Sequence, residues 1–205
     1  MRMMIPPSPP IRRMPSAERR KALLASAIAI FARDGLGYAR HAEIAKHAGV
    51  ALATAFHYFP TRAQMVEDVL AEVGTFFIRD VMQPIHDEQP ATPDAILAVL
   101  MRFSDTIDSN PGHAQIWLEW STAVHKDIWP SYLAFHRTMT TGIADIVAAG
   151  IATGTIRPGL LPLDVARIVV GMAHPIAHMK FSGSSRGEIE NTMSSLIGQY
   201  LMPMQ

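Results

Sequence analysis

The chain has 205 residues, 49% hydrophobic and 18% charged, with no cysteine. That is ample apolar material for one compact body with a small appended part, and it excludes disulfides and thiol nucleophiles. No apolar run reaches the roughly 18 uncharged residues of a membrane span, and MRMMIPPSPPIRRM lacks the apolar stretch of a signal peptide, so a cytoplasmic protein is expected.

Formal net charge is zero, but it is unevenly distributed. Residues 1–62 hold ten Lys and Arg against three acids, a net +7, and the remainder holds eight against fifteen, a net −7. Phosphate binding needs local positive charge because counterion release drives it. The pattern reads as a basic head on an acidic body.

Residues 1–15 are rich in Pro and Arg and are expected to be disordered. Arg12 and Arg13, just ahead of the first helix, suit either an arm dipping into a minor groove or a solubilising tail. Ser16 is expected to cap a first helix running to about Asp34, with Leu23, Leu24, Ala27, Ile28 and Phe31 as its apolar stripe. Arg19, Arg20 and Lys21 in its first turn oppose the helix dipole, so an external anion such as a phosphate is a reasonable partner. Gly35 and Gly37 end that element.

A second helix over His41–His47 is followed by Gly49, placed where a helix takes a left-handed residue, and by Val50 as a core plug. A third helix over Ala51–Tyr58 is cut off by Phe59-Pro60. Helix, glycine turn and short second helix form the helix-turn-helix pattern, whose second helix enters the major groove of DNA. The same spacing also fits a tight helical corner inside a core.

Thr61 with Gln64 reads as a capping box opening a fourth helix to about Gln83, stopped by Pro84. Its Met65, Val69, Val73, Phe76, Phe77 and Val81 face inward; Glu67, Asp68, Glu72 and Asp80 face solvent. Residues 84–92 read as a loop. Thr92-Pro93 opens a fifth helix ending near Asn110-Pro111. A sixth covers about Gly112–His125, and a seventh follows Trp129-Pro130 to about Thr153. The eighth starts near Pro162 and is expected to kink at Pro175. Ser185 with Glu188 forms a second capping box that opens a ninth helix to about Tyr200. With no strand pattern, the expected fold is all-α with about nine helices: an arm over 1–15, a DNA-binding part over 16–60 and a regulatory and dimerising part over 61–205.

The third helix suits a DNA groove. Ala51, Ala53 and Ala55 allow close approach, Thr54, His57 and Tyr58 offer short hydrogen-bonding groups, and no acid would repel phosphate. Arg62 can reach a phosphate. No Gly-x-Ser-x-Gly and no phosphate-cradling loop occur. His174 and His178 sit four apart, as helical metal ligands do, but no Glu follows His174 and Pro175 distorts that turn; packed or interface histidines are expected. No enzyme activity, metal or cofactor is therefore expected. The last two helices carry apolar faces, Val165, Ile168, Val169, Met172 and Ile176, then Ile189, Met193, Leu196, Ile197 and Tyr200. Such pairs commonly meet their copies in a twofold four-helix interface.

Gly49-Val50, then Ala53-Thr54-Ala55-Phe56-His57-Tyr58-Phe59, then Thr61-Arg62 resembles the DNA-binding signature of TetR-family transcription regulators. The runs RHAEIA and ATAFHYFPTRA, with IWLEWS over 116–121 and DIWP over 127–130, resemble more particularly the LuxR/HapR-type master regulators of quorum sensing. The likeness extends well to about Arg137 and weakly beyond. It implies a homodimer that reads a double-stranded operator, activating, repressing or both, with the two recognition helices about 34–36 Å apart.

The implied DNA contacts are Arg12, Arg13, Arg40, Ala51, Leu52, Ala53, Thr54, His57, Tyr58 and Arg62. Phe76, Phe77, Phe103, Trp117, Trp120, Phe135, His136, Thr140 and Met172 read as ordinary core on their own. The resemblance makes them candidates to enclose a small hydrophobic effector. Three departures stand out. The family usually has Ser at position 51, where this chain has Ala51, and losing such a cap costs roughly 0.5–2 kcal/mol. Position 57 is His57 where the branch has Asn, which reads adenine bidentately as His cannot. His136 and Thr140 replace Asn and Gln, which changes the polar character of any pocket. Two other readings stay open: a local repressor of an efflux or catabolic operon, and an all-α carrier or sensor of a hydrophobic ligand that does not touch DNA. The charge split speaks against the carrier.

Overall fold

The computed structural model describes residues 15–88, 91–124 and 126–202, and every regular element among them is helical. The elements are α1 (Ser16–Asp34), α2 (His41–Ala48), α3 (Leu52–Tyr58), α4 (Arg62–Phe77), a π-helical turn (Ile78–Met82), α5 (Gln83–Glu88), α6 (Pro93–Ser109), α7 (Pro111–Ser121), α8 (Trp129–Thr153), α9 (Pro162–Gly171), α10 (Ala173–Phe181) and α11 (Arg186–Leu201). Because α4, the π turn and α5 run on without a gap, and α9 and α10 are parted by Met172 alone, the described residues form nine helical rods. The chain divides into two compact units, one taking the residues up to Gly74 together with Gly112–Trp129, the other Thr75–Pro111 with Pro130 onward.

In the first unit the α1 stripe is as expected: Leu23, Leu24, Ala27, Ile28 and Phe31 are all buried, with Ile44 of α2 and Met65 of α4. The start of α1 differs. Ser16 is already helical, the cap position falls on Pro15, and no side chain caps the helix. At α4 the Thr61 hydroxyl accepts the Gln64 N–H at 3.1 Å, but the Gln64 amide turns to Asp68 instead of closing the box. α7 belongs to this unit: the Glu119 carboxylate accepts the Leu36 N–H at 2.7 Å. Trp120 donates its indole N–H to the Ile128 carbonyl at 3.1 Å.

In the second unit α6 packs against α10 and α11. Lys180 reaches Asp108 at 2.5 Å, and Arg186 reaches Asp105 at 3.0 Å. Thr92 caps α6 by accepting the Ala95 N–H, and the capping box of Ser185 and Glu188 on α11 is complete.

Pro84 does not stop the fourth helix, and residues 84–88 are helical rather than loop. A proline in a helix leaves the carbonyl four residues earlier without its donor. Here that carbonyl is Asp80, and Arg102 donates its Nε–H to it at 3.2 Å. The turn before the proline has widened to π geometry, with the Gln83 N–H bonded to Ile78. Where a kink at Pro175 was expected, the eighth helix is interrupted at Met172, three residues before the proline. The same arithmetic explains it, since the carbonyl that Pro175 cannot serve is that of Gly171, whose backbone bonds the His174 ring.

Close packing places one demand on composition. A Cβ on Gly150 of α8 would lie 2.6 Å from Ile156 and 2.8 Å from the backbone oxygen of Ala91. Gly150→Ala is expected to destabilise the fold by about 1–3 kcal/mol through overpacking, read as a lower urea midpoint at unchanged slope.

Candidate nucleic-acid interface

The helix-turn-helix is built on Gly49, which takes the left-handed conformation at φ 67 and ψ 31 and donates its N–H to the last carbonyls of α2. A side chain there would be strained, which is why glycine stands at this turn. Ala55 and Phe59 bury the inner side of α3. His41, the first residue of α2, is also buried; its Nε2 lies 2.7 Å from the Phe59 carbonyl oxygen. Its ring stacks on Phe56 at 4.2 Å between centroids and 12° between planes. One imidazole thus ties both ends of the second half of α3 to α2. The sequence reading passed over His41, whose only signal was its place at the head of α2.

Ala51, Leu52, Ala53, Phe56 and His57 face solvent, and Thr54 and Tyr58 are half-exposed. Ala51 occupies the cap position of α3 and makes no side-chain cap bond. The Tyr58 hydroxyl lies 3.3 Å from Ser16 Oγ, at the start of α1. Arg40 is exposed. Arg62 is exposed too, but its guanidinium donates to the Leu36 carbonyl. It therefore braces the loop between α1 and α2 as well as standing at the surface. Lys46 and Tyr38, neither singled out from the sequence, are exposed as well. Arg33 is committed elsewhere, to Asp34 at 2.6 Å and Glu43 at 3.6 Å. Arg12 and Arg13 lie outside the described residues.

His47, in the last turn of α2, is half-buried with neither ring nitrogen hydrogen-bonded. Burial, and then the nearby Arg33 charge, hold its pKa below the ordinary value.

In the second unit Phe77 and Phe103 are buried, with ring centroids 5.5 Å apart, and Phe76 and Phe135 lie 5.2 and 6.5 Å from Phe77. His136 sits at the polar end of this cluster, 5.8 Å from the ring of buried Tyr132, with Thr140 Oγ1 at 3.4 Å from its Nδ1. Burial lowers the pKa of His136, and burial is the main cause of the lowering at His174. Met172 is half-exposed. Trp117 and Trp120 are buried in the first unit. A separate polar cleft of about 370 Å³ opens beside Phe76, lined by Asp80, Arg102, Asp105 and Thr106 among others.

The apolar faces expected at a dimer interface divide in two. Val165, Val169, Ile176, Ile189, Met193 and Ile197 are buried within the single chain, because an amphipathic helix turns its main stripe to its own bundle. They are core, not surface, and this corrects the reading. Ile168, Leu196 and Tyr200 are exposed, in company with Leu161, Leu163, Phe181 and Met202, which the sequence reading left out.

A glycine-turned helix pair with its second helix outward, in a basic segment, defines a helix-turn-helix DNA-binding protein. Residues 23–69 match the model of the bacterial regulatory proteins of the tetR family. The chain is 27% identical over 192 residues to the HTH-type transcriptional regulator LuxR of Vibrio harveyi, covering 94% of this chain and 91% of that protein. Its fold is shared by solved structures, FadR and AibR among them. FadR from Bacillus subtilis, in complex with stearoyl-CoA, superposes with a TM-score of 0.74 at 18% identity over 86% of this chain and 96% of that one. AibR, in complex with isovaleryl coenzyme A and operator DNA, gives 0.71 at 15% over 90% and 99%. Residues 23–69 thus resemble the DNA-binding segment of tetR-family regulators, and the likeness to one transcription regulator runs through nearly the whole chain. Among the described residues, no helix is long and apolar enough to cross a membrane.

Removing the His41 ring is expected to orphan the Phe59 carbonyl, so His41→Ala should lose about 1–3 kcal/mol by denaturant titration. The lowered pKa values give the sign of the acid response. Below about pH 6.5, the ordinary histidine value, the unfolded chain takes up protons that folded His47, His136 and His174 refuse. Stability therefore falls as pH drops from there through the lowered folded values. His47→Leu should flatten part of that slope in melts between pH 7 and pH 5.

Proposed function

We propose that this TetR-type regulator reads a specific operator as a homodimer and acts as a quorum-sensing-like master regulator that activates, represses or does both. The carrying observation is the presentation of α3, held from behind by His41 and Phe59 and open to solvent along Leu52, Ala53, Phe56 and His57. The likeness to LuxR over nearly the whole chain supports the finer role. Residues 16–60 would be the reading part and 61–205 the regulatory and dimerising part, with the protein working in the cytoplasm. Arg12, Arg13, Arg40, Thr54, Tyr58 and Arg62 would contact backbone and bases.

The exposed apolar residues Ile168, Leu196 and Tyr200, with Leu163 and Phe181, supply the surface we assign to the partner copy. Phe76, Phe77, Phe103, Phe135, His136, Thr140 and Met172 would meet a small, largely hydrophobic effector. That effector would act by its differential affinity for two arrangements of the reading heads. A second reading, a local repressor answering an acyl-CoA-like molecule, draws on the coenzyme A thioesters held by FadR and AibR. Genes adjoining its own would separate the two.

Gel shifts against genomic fragments at two salt concentrations test the DNA-reading role. Thr54→Ala and Tyr58→Phe are expected to weaken binding severalfold, and doubling the salt to weaken it steeply; unchanged affinity would remove both residues from the interface. Ile168→Glu with Leu196→Glu is expected to yield monomers in sedimentation experiments while the helical circular dichroism is kept. A dimer that persists would move the interface elsewhere.

A further inference from the structure

We infer that α3 selects its DNA sequence chiefly through the 5-methyl groups of thymine, contacted by Leu52, Ala53 and Phe56. The inference rests on the DNA-reading role of α3 proposed above and goes on to name what that helix reads.

The whole helix is LATAFHY, with no Arg, Lys, Asn, Gln, Asp or Glu. The bidentate pairings that distinguish guanine and adenine, and the carboxylate contact to cytosine, are therefore unavailable from it. What it turns outward is mostly hydrocarbon: Leu52 and Phe56 are each 46% exposed. They stand four residues apart, hence on one face, with the Ala53 methyl beside them. In the major groove only thymine offers an apolar group for such a face to cover.

The Phe56 ring is fixed where it stands. His41 covers one side of it at 4.2 Å, and that imidazole is itself held at 2.7 Å by the Phe59 carbonyl. A preset ring loses little freedom on contact, which favours a shape-specific fit over adaptable polar bonding. His57 and the half-exposed hydroxyls of Thr54 and Tyr58 are the hydrogen-bonding groups α3 can offer, each short and none a bidentate amide or guanidinium. Long-range attraction comes from elsewhere in the basic residues 1–62, among them exposed Arg40 and Lys46. Phosphate contacts of that kind position the protein but carry no sequence information.

The test uses the full-length protein and a duplex enriched by it from a random pool. The enriched duplex is synthesised with thymine and again with deoxyuridine in its place, which removes only the methyl groups. Affinities are measured at one salt concentration for the wild type, Leu52→Ala and Phe56→Ala. The wild type is expected to bind the deoxyuridine duplex more weakly, by about fourfold for each methyl it covers. Each variant should bind the thymine duplex more weakly and show a smaller ratio between the two duplexes. Leu52 lies on an exposed face, so Leu52→Ala keeps the experiment interpretable if Phe56→Ala unfolds along with its His41 stack.

Equal wild-type affinity for the two duplexes would overturn the inference while leaving α3 a DNA reader. So would a wild-type preference that both variants retain in full, because the methyl groups would then act through duplex shape and not through this helix. If no duplex is enriched at all, the DNA-reading role fails and the inference falls with it.

Discussion

A single buried imidazole holds the helix-turn-helix together. His41 accepts the work of holding two residues of α3 at once, the Phe59 carbonyl by hydrogen bond and the Phe56 ring by stacking. A seven-residue helix is too short to persist in water by its own hydrogen bonds. Its shape must come from contacts with its neighbours, and here these are Ala55, Phe59 and His41 on one side, with the Gly49 turn at its start. Those contacts leave Leu52, Ala53 and His57 free and Phe56 half-covered, and the proposed DNA-reading role rests on that asymmetry.

The second unit solves a different problem. Two of its helical rods pass through a proline, and each time the deprived carbonyl or the turn around it is served by a side chain. Arg102 bonds Asp80 O ahead of Pro84, and the His174 ring bonds the Gly171 backbone ahead of Pro175. The helix therefore continues where a proline would ordinarily end it, by widening to π geometry in one case and by breaking for one residue in the other. Both deviations lie in the unit that carries the aromatic cluster of Phe77, Phe103 and Phe135.

Features written in local chemistry were legible in the sequence. Gly49 marks its own turn, Thr92-Pro93 and Ser185 with Glu188 mark their own caps, and the stripe of α1 follows from period alone. Features that depend on a distant partner were not. The helix could be seen to pass Pro84 only if Arg102, far along the chain, were known to lie beside Asp80. Ser16 looked like a cap because its type favours one, but the chain enters α1 through Pro15 and its hydroxyl lies near Tyr58 instead. The apolar residues of α9 to α11 illustrate the same limit. Periodicity shows that a face is apolar, but not whether it meets its own bundle or a second molecule, and most of the strongest positions proved to be internal. The reading helix itself was legible because a helix, a glycine and a short helix are adjacent in sequence; the residue that locks it was not, because His41 meets Phe59 across 18 positions.

The central claim is that α3 lies in the major groove of a duplex. Chemical protection of the bound operator reads this directly, since guanine N7 faces the major groove and adenine N3 the minor. With an enriched duplex and dimethyl sulfate, the account predicts that bound protein shields guanine N7 atoms in two clusters about one helical turn apart. Protection confined to adenine N3, or unaltered reactivity throughout at saturating protein, would contradict it.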